Sequence, residues 1–131
     1  MITLTMPFPP SVNAMWRTPR SGPLAGRTML SQEGRAYRST VQAIALAQAW
    51  PKHGNKRLSV SIEARMPDRR KRDLDNLPKA VLDALTHAGI WLDDGQIDDL
   101  RVWRSPKPGG VILVTITPIT EVQASLLEAT A

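Results

Sequence analysis

LSVSIEARMPDRRKRDLDNLPKAVLDALTHAG, residues 58–89, changes its hydrophobic period once, and that change decides the fold. Leu58, Val60, Ile62, Ala64 and Met66 alternate with Ser59, Ser61, Glu63 and Arg65, the period of a half-buried strand, until Pro67 stops it. Leu77, Val81, Ala84, Leu85 and Ala88 then recur at helical spacing, and Gly89 follows as a C-terminal stop. Asp75 is a candidate cap for this helix. Pro78 is harmless in its first turn, where the missing N–H would have no intrahelical partner.

Upstream, Ser31 caps a second expected helix, whose apolar face includes Tyr37, Val41, Ile44 and Ala45 and which ends before Pro51. Ile2, Leu4 and Met6 alternate with Thr3 and Thr5 as a first strand, closed by PFPP. Residues 9–30, rich in Pro, Gly, Ser and Arg, read as one long connection, of the kind that is usually functional or mobile. Downstream, GIWLDDGQIDD is turn-rich, a strand is expected around Leu100–Arg104, SPKPGG turns the chain, and Val111–Thr117 is a last strand. The order β-α-β-α-β-β predicts an α+β fold, a mixed sheet with two helices packed on one face. Residues 1–120 are expected to form a single domain, and 121–131 a tail, either a frayed helix or disordered.

The formal charge of +5 favours an acidic polymer or surface as partner. The absence of cysteine excludes a disulfide framework, a thiol nucleophile and thiolate zinc sites. No apolar run approaches the ~20 residues that span a bilayer, and MITLTMPFPP lacks the pattern of a signal peptide, so no membrane partner and a cytoplasmic location are expected.

Between the strand and the helix lie four consecutive cations, Arg69, Arg70, Lys71 and Arg72, followed by Asp73 and Asp75 with one residue between them. In an extended segment both carboxylates project to one side while Leu74 turns inward. Two close carboxylates repel, so one protonates or the pair takes a cation. Mg²⁺ suits them, since it takes oxygen ligands from one or two carboxylates together with substrate phosphate. A third acid would come from Asp93 or Asp94 if that segment folds back beside the helix start, with Trp91 as its apolar anchor. Lys79, one turn after Asp75, either reaches a bound phosphate or pairs with Asp83 at i+4. The plain alternative for the acids, a cap plus a first-turn carboxylate at the positive end of a helix, accounts for Asp75 better than for Asp73.

Taken together, MPDRRKRDLDNLPKAVLDALTHAGIWLDDGQIDD and PFPPSVNAMWR near the start resemble the RusA family of Holliday junction resolvases. The likeness runs from about the first strand to the fourth. It implies a homodimeric, Mg²⁺-dependent endonuclease, with Mn²⁺ as a substitute, that nicks branched DNA symmetrically at four-way junctions in recombination and repair. The resemblance puts the metal-binding aspartates at Asp73, Asp75 and Asp94 and the catalytic lysine at Lys79. It makes Asn13 and Asn76 candidate DNA contacts, and it hints at a phage or prophage source. Arg104 stands where lysine is expected in the family, which keeps the charge and changes its hydrogen-bond geometry. The Arg17–Arg27 loop is longer than expected.

Under this reading Arg69, Arg70, Lys71, Arg72 and Arg104 contact DNA phosphates, giving affinity without sequence information. Two competing readings stay open: a nuclease of flaps or forks, and a noncatalytic basic module for branched DNA. Trp16 and Trp103 have either a packing or a base-stacking role. His53 and His87 have no paired ligand to make them catalytic, and Asp98 and Asp99 are spare acids beside the site.

Overall fold

The computed structural model describes residues 1–120, so the expectation for the tail at 121–131 lies outside the described residues. The strands are β1 (Ile2–Pro7), β2 (Trp16–Arg17), β3 (Met29–Leu30), β4 (Leu58–Arg65), β5 (Ile97–Arg104) and β6 (Val111–Pro118). The helices are α1 (Val12–Met15), α2 (Gln32–Ala47) and α3 (Leu77–His87). Four strands form a mixed sheet in the order β1-β6-β4-β5, in which β4 runs parallel to β5 and antiparallel to β6. This is the α+β arrangement expected from the sequence.

The change of period at residue 66 accounts for the layering. Leu58, Val60, Ile62 and Ala64 are fully buried, whereas the residues between them on the opposite face are half-exposed. Among the described residues, the helices cover one face of the sheet. Tyr37, Val41 and Ala45 of α2 and Leu77, Ala80, Val81, Ala84 and Leu85 of α3 belong to the same buried core as Leu4, Met6, Ile112, Val114 and Ile116 of the outer and central strands. Arg38 joins the two helices through both oxygens of Asp83, at 2.8 Å each. Parallel strands need a crossover, and α3 provides the one between β4 and β5.

The connection at 9–30 is more ordered than its composition implied. After the prolines, Ser11 caps α1 by accepting from the Ala14 amide at 3.2 Å, and Met15 is fully buried. The antiparallel β2–β3 pair then returns the chain to α2. Ser31 does two jobs there: its hydroxyl accepts from Gly34 N at 3.0 Å as the α2 cap and donates to the end of α1, bonding Met15 O at 3.1 Å. Short elements of this kind are fixed by tertiary seating, which periodicity does not report.

Two further boundaries differ from expectation. β5 starts at Ile97, not near Leu100, because its inward residues lose phase: Ile97, Asp99 and Val102 are half-buried, and its register against β4 shifts between Leu58 and Ser59. Asp75 does not cap α3. Leu74–Asn76 forms a 3₁₀ turn leading into the helix, and Asn76 occupies the cap position without a side-chain cap bond.

Gly34 is where α1 presses against α2. A Cβ there would lie 2.4 Å from Met15 O and 2.9 Å from Leu30 Cδ2. Gly34→Ala is therefore expected to destabilise the protein by about 1–3 kcal/mol, seen as a lower urea midpoint at unchanged slope; an unchanged midpoint would mean that α1 is not seated as described.

Candidate active site

The basic loop leaves the C-terminal end of β4 and reaches α3 through the two aspartates. Asp68, not singled out by the sequence reading, organises it. The Asp68 carboxylate accepts from both terminal nitrogens of Arg72 and from the Arg70 backbone N–H at 2.9 Å, while the Arg70 side chain stands 3.7 Å away. The Arg72 guanidinium and the Arg70 amide hold the Asp68 carboxyl down at about 2. The segment from Asp68 to Arg72 is not helical, so the pairing depends on the bend of the loop and had no periodic signal in the sequence.

Arg72 is more a structural residue than a free phosphate ligand. Its side chain is 26% exposed, against 83% for Arg70, and its guanidinium lies 5.5 Å from the centre of the Phe8 ring. Arg104, expected on DNA, donates from Nη2 to the Arg72 carbonyl and so ties the end of β5 to the loop. Arg69 and Lys71 are exposed and make no side-chain ion pair among the described residues.

Asp73 is extended and exposed, and Asp75 lies in the 3₁₀ turn, also exposed. The zigzag ends at Asp73, so the rule that residues i and i+2 share a side does not apply to the pair; Leu74 does turn inward against the core. Among the described residues neither carboxylate takes part in a hydrogen bond or an ion pair. These are uncommitted hard oxygen donors one residue apart, a set that fits a divalent cation such as Mg²⁺.

The two readings of Lys79 are separated by the α2–α3 bridge. Arg38 occupies Asp83, so the i+4 ion pair does not form. Instead the Lys79 ammonium lies 4.5 Å from the centre of the Trp16 ring. Trp16 is half-buried at the edge of the core, which assigns it to packing, and its buried Nε1 has no partner. Trp103 is 44% exposed on the sheet edge. Asn13 is exposed on α1, and Asn76 is exposed beside Asp75.

The expected return of the WLDD segment to the helix start does not occur. Asp94 accepts from the Thr86 hydroxyl, in the last turn of α3, and from Trp91 Nε1 at 3.3 Å. Trp91 is buried and anchors its acidic neighbour as expected, but at the other end of the helix. The 11 residues of α3 span ~16 Å, so Asp94 is remote from Asp73 and Asp75 of its own chain. Among the described residues no three acidic or imidazole side chains converge on one point.

The turn carrying Asp94 is held by Gln96, whose buried amide is fully used. Its oxygen accepts from Leu92 N at 2.7 Å and Asp93 N at 3.0 Å; its nitrogen donates to Gly54 O at 2.8 Å and Lys56 O at 2.7 Å. Asp98 pairs with Arg57, and Asp99 accepts from Ser59 at 2.9 Å, which gives both spare acids structural partners. His53 is half-buried, and desolvation lowers its pKa; His87 is exposed in the last turn of α3.

A cleft of about 850 Å³ opens beside Asp73, between the Phe8–Val12 stretch, the first half of α2 and the basic loop. Nothing in the sequence reading anticipated it, because its walls come from three separate segments.

Comparison with known proteins identifies the family. The profile described as Endodeoxyribonuclease RusA matches residues 7–117. The crossover junction endodeoxyribonuclease RusA of Escherichia coli (strain K12) is 47% identical over 122 residues, covering 88% of this chain and 92% of the relative. The protein of the same name from Shigella sonnei (strain Ss046) is likewise 47% identical over 122 residues. The crossover junction endodeoxyribonuclease of Enterobacteria phage 82 is 47% identical over 115 residues, covering 87% and 92%. A profile match along most of its length and relatives this close make the chain a member of the RusA endodeoxyribonuclease family.

Proposed function

We propose that this protein is a Mg²⁺-dependent endodeoxyribonuclease that resolves four-way DNA junctions by paired symmetric nicks, in recombination and repair. The observation that carries the reading is the exposed, uncommitted pair Asp73 and Asp75 directly after a basic loop, in a chain whose relatives are named crossover junction endodeoxyribonucleases. The phage relative supports a phage or prophage source. No described helix is long and apolar enough to cross a membrane.

Asp73 and Asp75 would hold the cation. When bound, Mg²⁺, or Mn²⁺ in its place, supplies Lewis-acid stabilisation of charge at the phosphodiester. Lys79 donates to a non-bridging phosphate oxygen as negative charge builds on it, an interaction that acts in the transition state more than in ground-state binding. Its contact with Trp16 holds the ammonium, four residues after Asp75, without a neutralising partner. Arg69, Arg70 and Lys71 hold flanking phosphates, Asn13 and Asn76 donate from the rim, and Arg72 and Arg104 fix the loop that carries the cations. Water attacks phosphorus and gives up a proton to solvent as the P–O3′ bond breaks; the departing 3′ oxygen takes a proton from solvent, leaving 5′-phosphate and 3′-hydroxyl ends.

Asp94 enters through the dimer. Two equivalent strands of a junction call for two equivalent sites, which a two-fold assembly supplies. β5 is an edge strand with Leu100 and Trp103 exposed; its start is acidic at Asp98 and Asp99, its end basic at Arg101 and Arg104. Antiparallel pairing of two such edges sets acid against base. It also carries the Asp94 that precedes one β5 toward the partner's loop at the end of the other, so that each site draws Asp73 and Asp75 from one chain and Asp94 from its mate.

Purified protein with Mg²⁺ should cut a labelled mobile junction into paired, ligatable nicks while sparing a linear duplex, and EDTA or Asp75→Asn should reduce the rate by at least about 10³-fold. Preferred cutting of flaps would change the substrate, and binding without cutting would leave a noncatalytic module. Mixing Asp75→Asn with Asp94→Asn chains tests the shared site: each variant alone is inactive, and the mixed dimer regains one intact site and nicks one strand. Continued inactivity of verified mixed dimers would return all three acids to one chain.

Asp68→Asn should release Arg70 and loosen Arg72. Duplex binding is expected to tighten, with log K against log salt steeper by about one unit; an unchanged slope would mean that the latch does not compete with phosphate. In the wild type, Asp68 is depressed from 3.8 to about 2. The latch's contribution is therefore complete above the ordinary carboxylate value and is lost as pH falls toward 2, so it stays closed near neutrality.

A further inference from the structure

We infer that the hollow where the β5–β6 connection crosses the end of β4 holds a backbone phosphate of a junction strand other than the one cut, through Arg69, Lys107 and Ser105. This deepens the junction-resolving reading and rests on it.

The crossing follows from the sheet order. β4 lies between β5 and β6, so residues 105–110 do not close a hairpin between neighbouring strands; they pass over the C-terminal end of β4, where the basic loop begins. Backbone bonds fix the crossing on both sides. Ser105 N donates to Ala64 O at 2.9 Å, and Gly109 N and Gly110 N both donate to Met66 O, at 3.2 Å and 3.3 Å. Gly110 has a φ of +66°, and a Cβ there would lie 3.1 Å from Pro67 Cβ, so this close approach requires glycine. Pro106 and Pro108 restrict the backbone on either side of Lys107.

The crossing and the loop enclose about 480 Å³ between residues 66–69 and 105–108. The polar groups of this hollow suit an anion. Arg69 and Lys107 are exposed, and their side chains make no hydrogen bond or ion pair among the described residues. Ser105 is buried; its oxygen accepts from Lys107 N at 3.2 Å, and its proton has no acceptor among the described residues. Asp68, the carboxylate in the lining, is already engaged by Arg72 and by the Arg70 backbone N–H. Two uncommitted cations and a hydroxyl donor match the oxygens of a phosphodiester.

The basic run is divided between two concavities, and the division indicates which strand each one takes. Arg70, Lys71 and Arg72 line the larger cleft together with Asp73, on the α2 side of the loop, whereas Arg69 lines the hollow beside the crossing. The loop latched by Asp68 stands between them as a ridge. A strand whose phosphate lies at Asp73 and Asp75 follows the α2 side, so a phosphate in the hollow belongs to a different strand. At a branch point the backbones of several strands converge within reach of one loop, and a linear duplex offers no such convergence. Lys107 thus acts in branch selection and takes no part in the chemistry.

The test separates junction from duplex and one strand from another. In EDTA, where the DNA stays intact, Lys107→Ala should weaken binding of a four-way junction about fivefold to tenfold and flatten log K against log salt by about one unit, while affinity for a matched linear duplex stays within about twofold of wild type. With Mg²⁺ the loss should appear in KM, and Lys107→Arg, which keeps the charge, should restore most of it. A single neutral methylphosphonate, moved along an uncut strand, should at one position weaken wild-type binding by the same factor and cost Lys107→Ala nothing further. Equal losses on junction and duplex, or methylphosphonate sensitivity shared with Lys107 only in the cut strand, would overturn the inference. A wild type that neither prefers nor cuts junctions would instead overturn the resolvase reading on which it rests.

Discussion

A loop of four cations next to two carboxylates would ordinarily neutralise itself, and the site depends on that not happening. Asp68 supplies the alternative partner. It engages Arg72 and the Arg70 backbone, while Phe8 stacks near the Arg72 guanidinium and Arg104 holds the Arg72 carbonyl. With Arg72 turned back toward β4, Asp73 and Asp75 face solvent without a counter-charge, and Arg69 and Lys71 remain available. The exposed ion pairs contribute little to stability at the surface. What they determine is which charges stay unpaired at the surface.

The strand-helix-strand unit gives this arrangement its direction. Where two parallel strands are joined by a helix, their C-terminal ends and the start of the helix meet on one side of the sheet, where ligands of open α/β sheets commonly bind. Here β4 ends in the basic loop, β5 ends at Arg104, and α3 begins just after Asp75. The other end holds Asp94 through Thr86, Trp91 and the four-bonded Gln96. The same topology that gathers cations and two acids therefore sends the third acid away by the length of a helix.

Much of this was legible where local period and burial agree. The alternation at Leu58–Met66 and the stripe at Leu77–Ala88 each match one buried face, and Ser31 caps α2 as its position implies. α1 and the β2–β3 pair were not legible, since four-residue and two-residue elements have too few positions to show a period and are held by Met15, Ser31 and Gly34 acting across the chain. The site divides in the same way. Asp73, Asp75 and Lys79 are consecutive enough to be read together, whereas the distance to Asp94 depends on which end of α3 its turn meets. The choice of Arg38 over Lys79 as the partner of Asp83 depends on how two helices pack.

That choice also decides whether the Lys79 charge is offset. Had Asp83 taken Lys79, the ammonium would sit farther along α3 with its charge neutralised. Arg38 is the better partner for a carboxylate, because its planar fork satisfies both oxygens at once. Lysine gains little from such a geometry and more from a ring face, which attracts the cation without supplying a neutralising charge. Trp16 supplies that face at 4.5 Å. The helix-helix bridge and the ring contact are thus parts of one arrangement, which leaves an unneutralised cation one turn beyond the carboxylates.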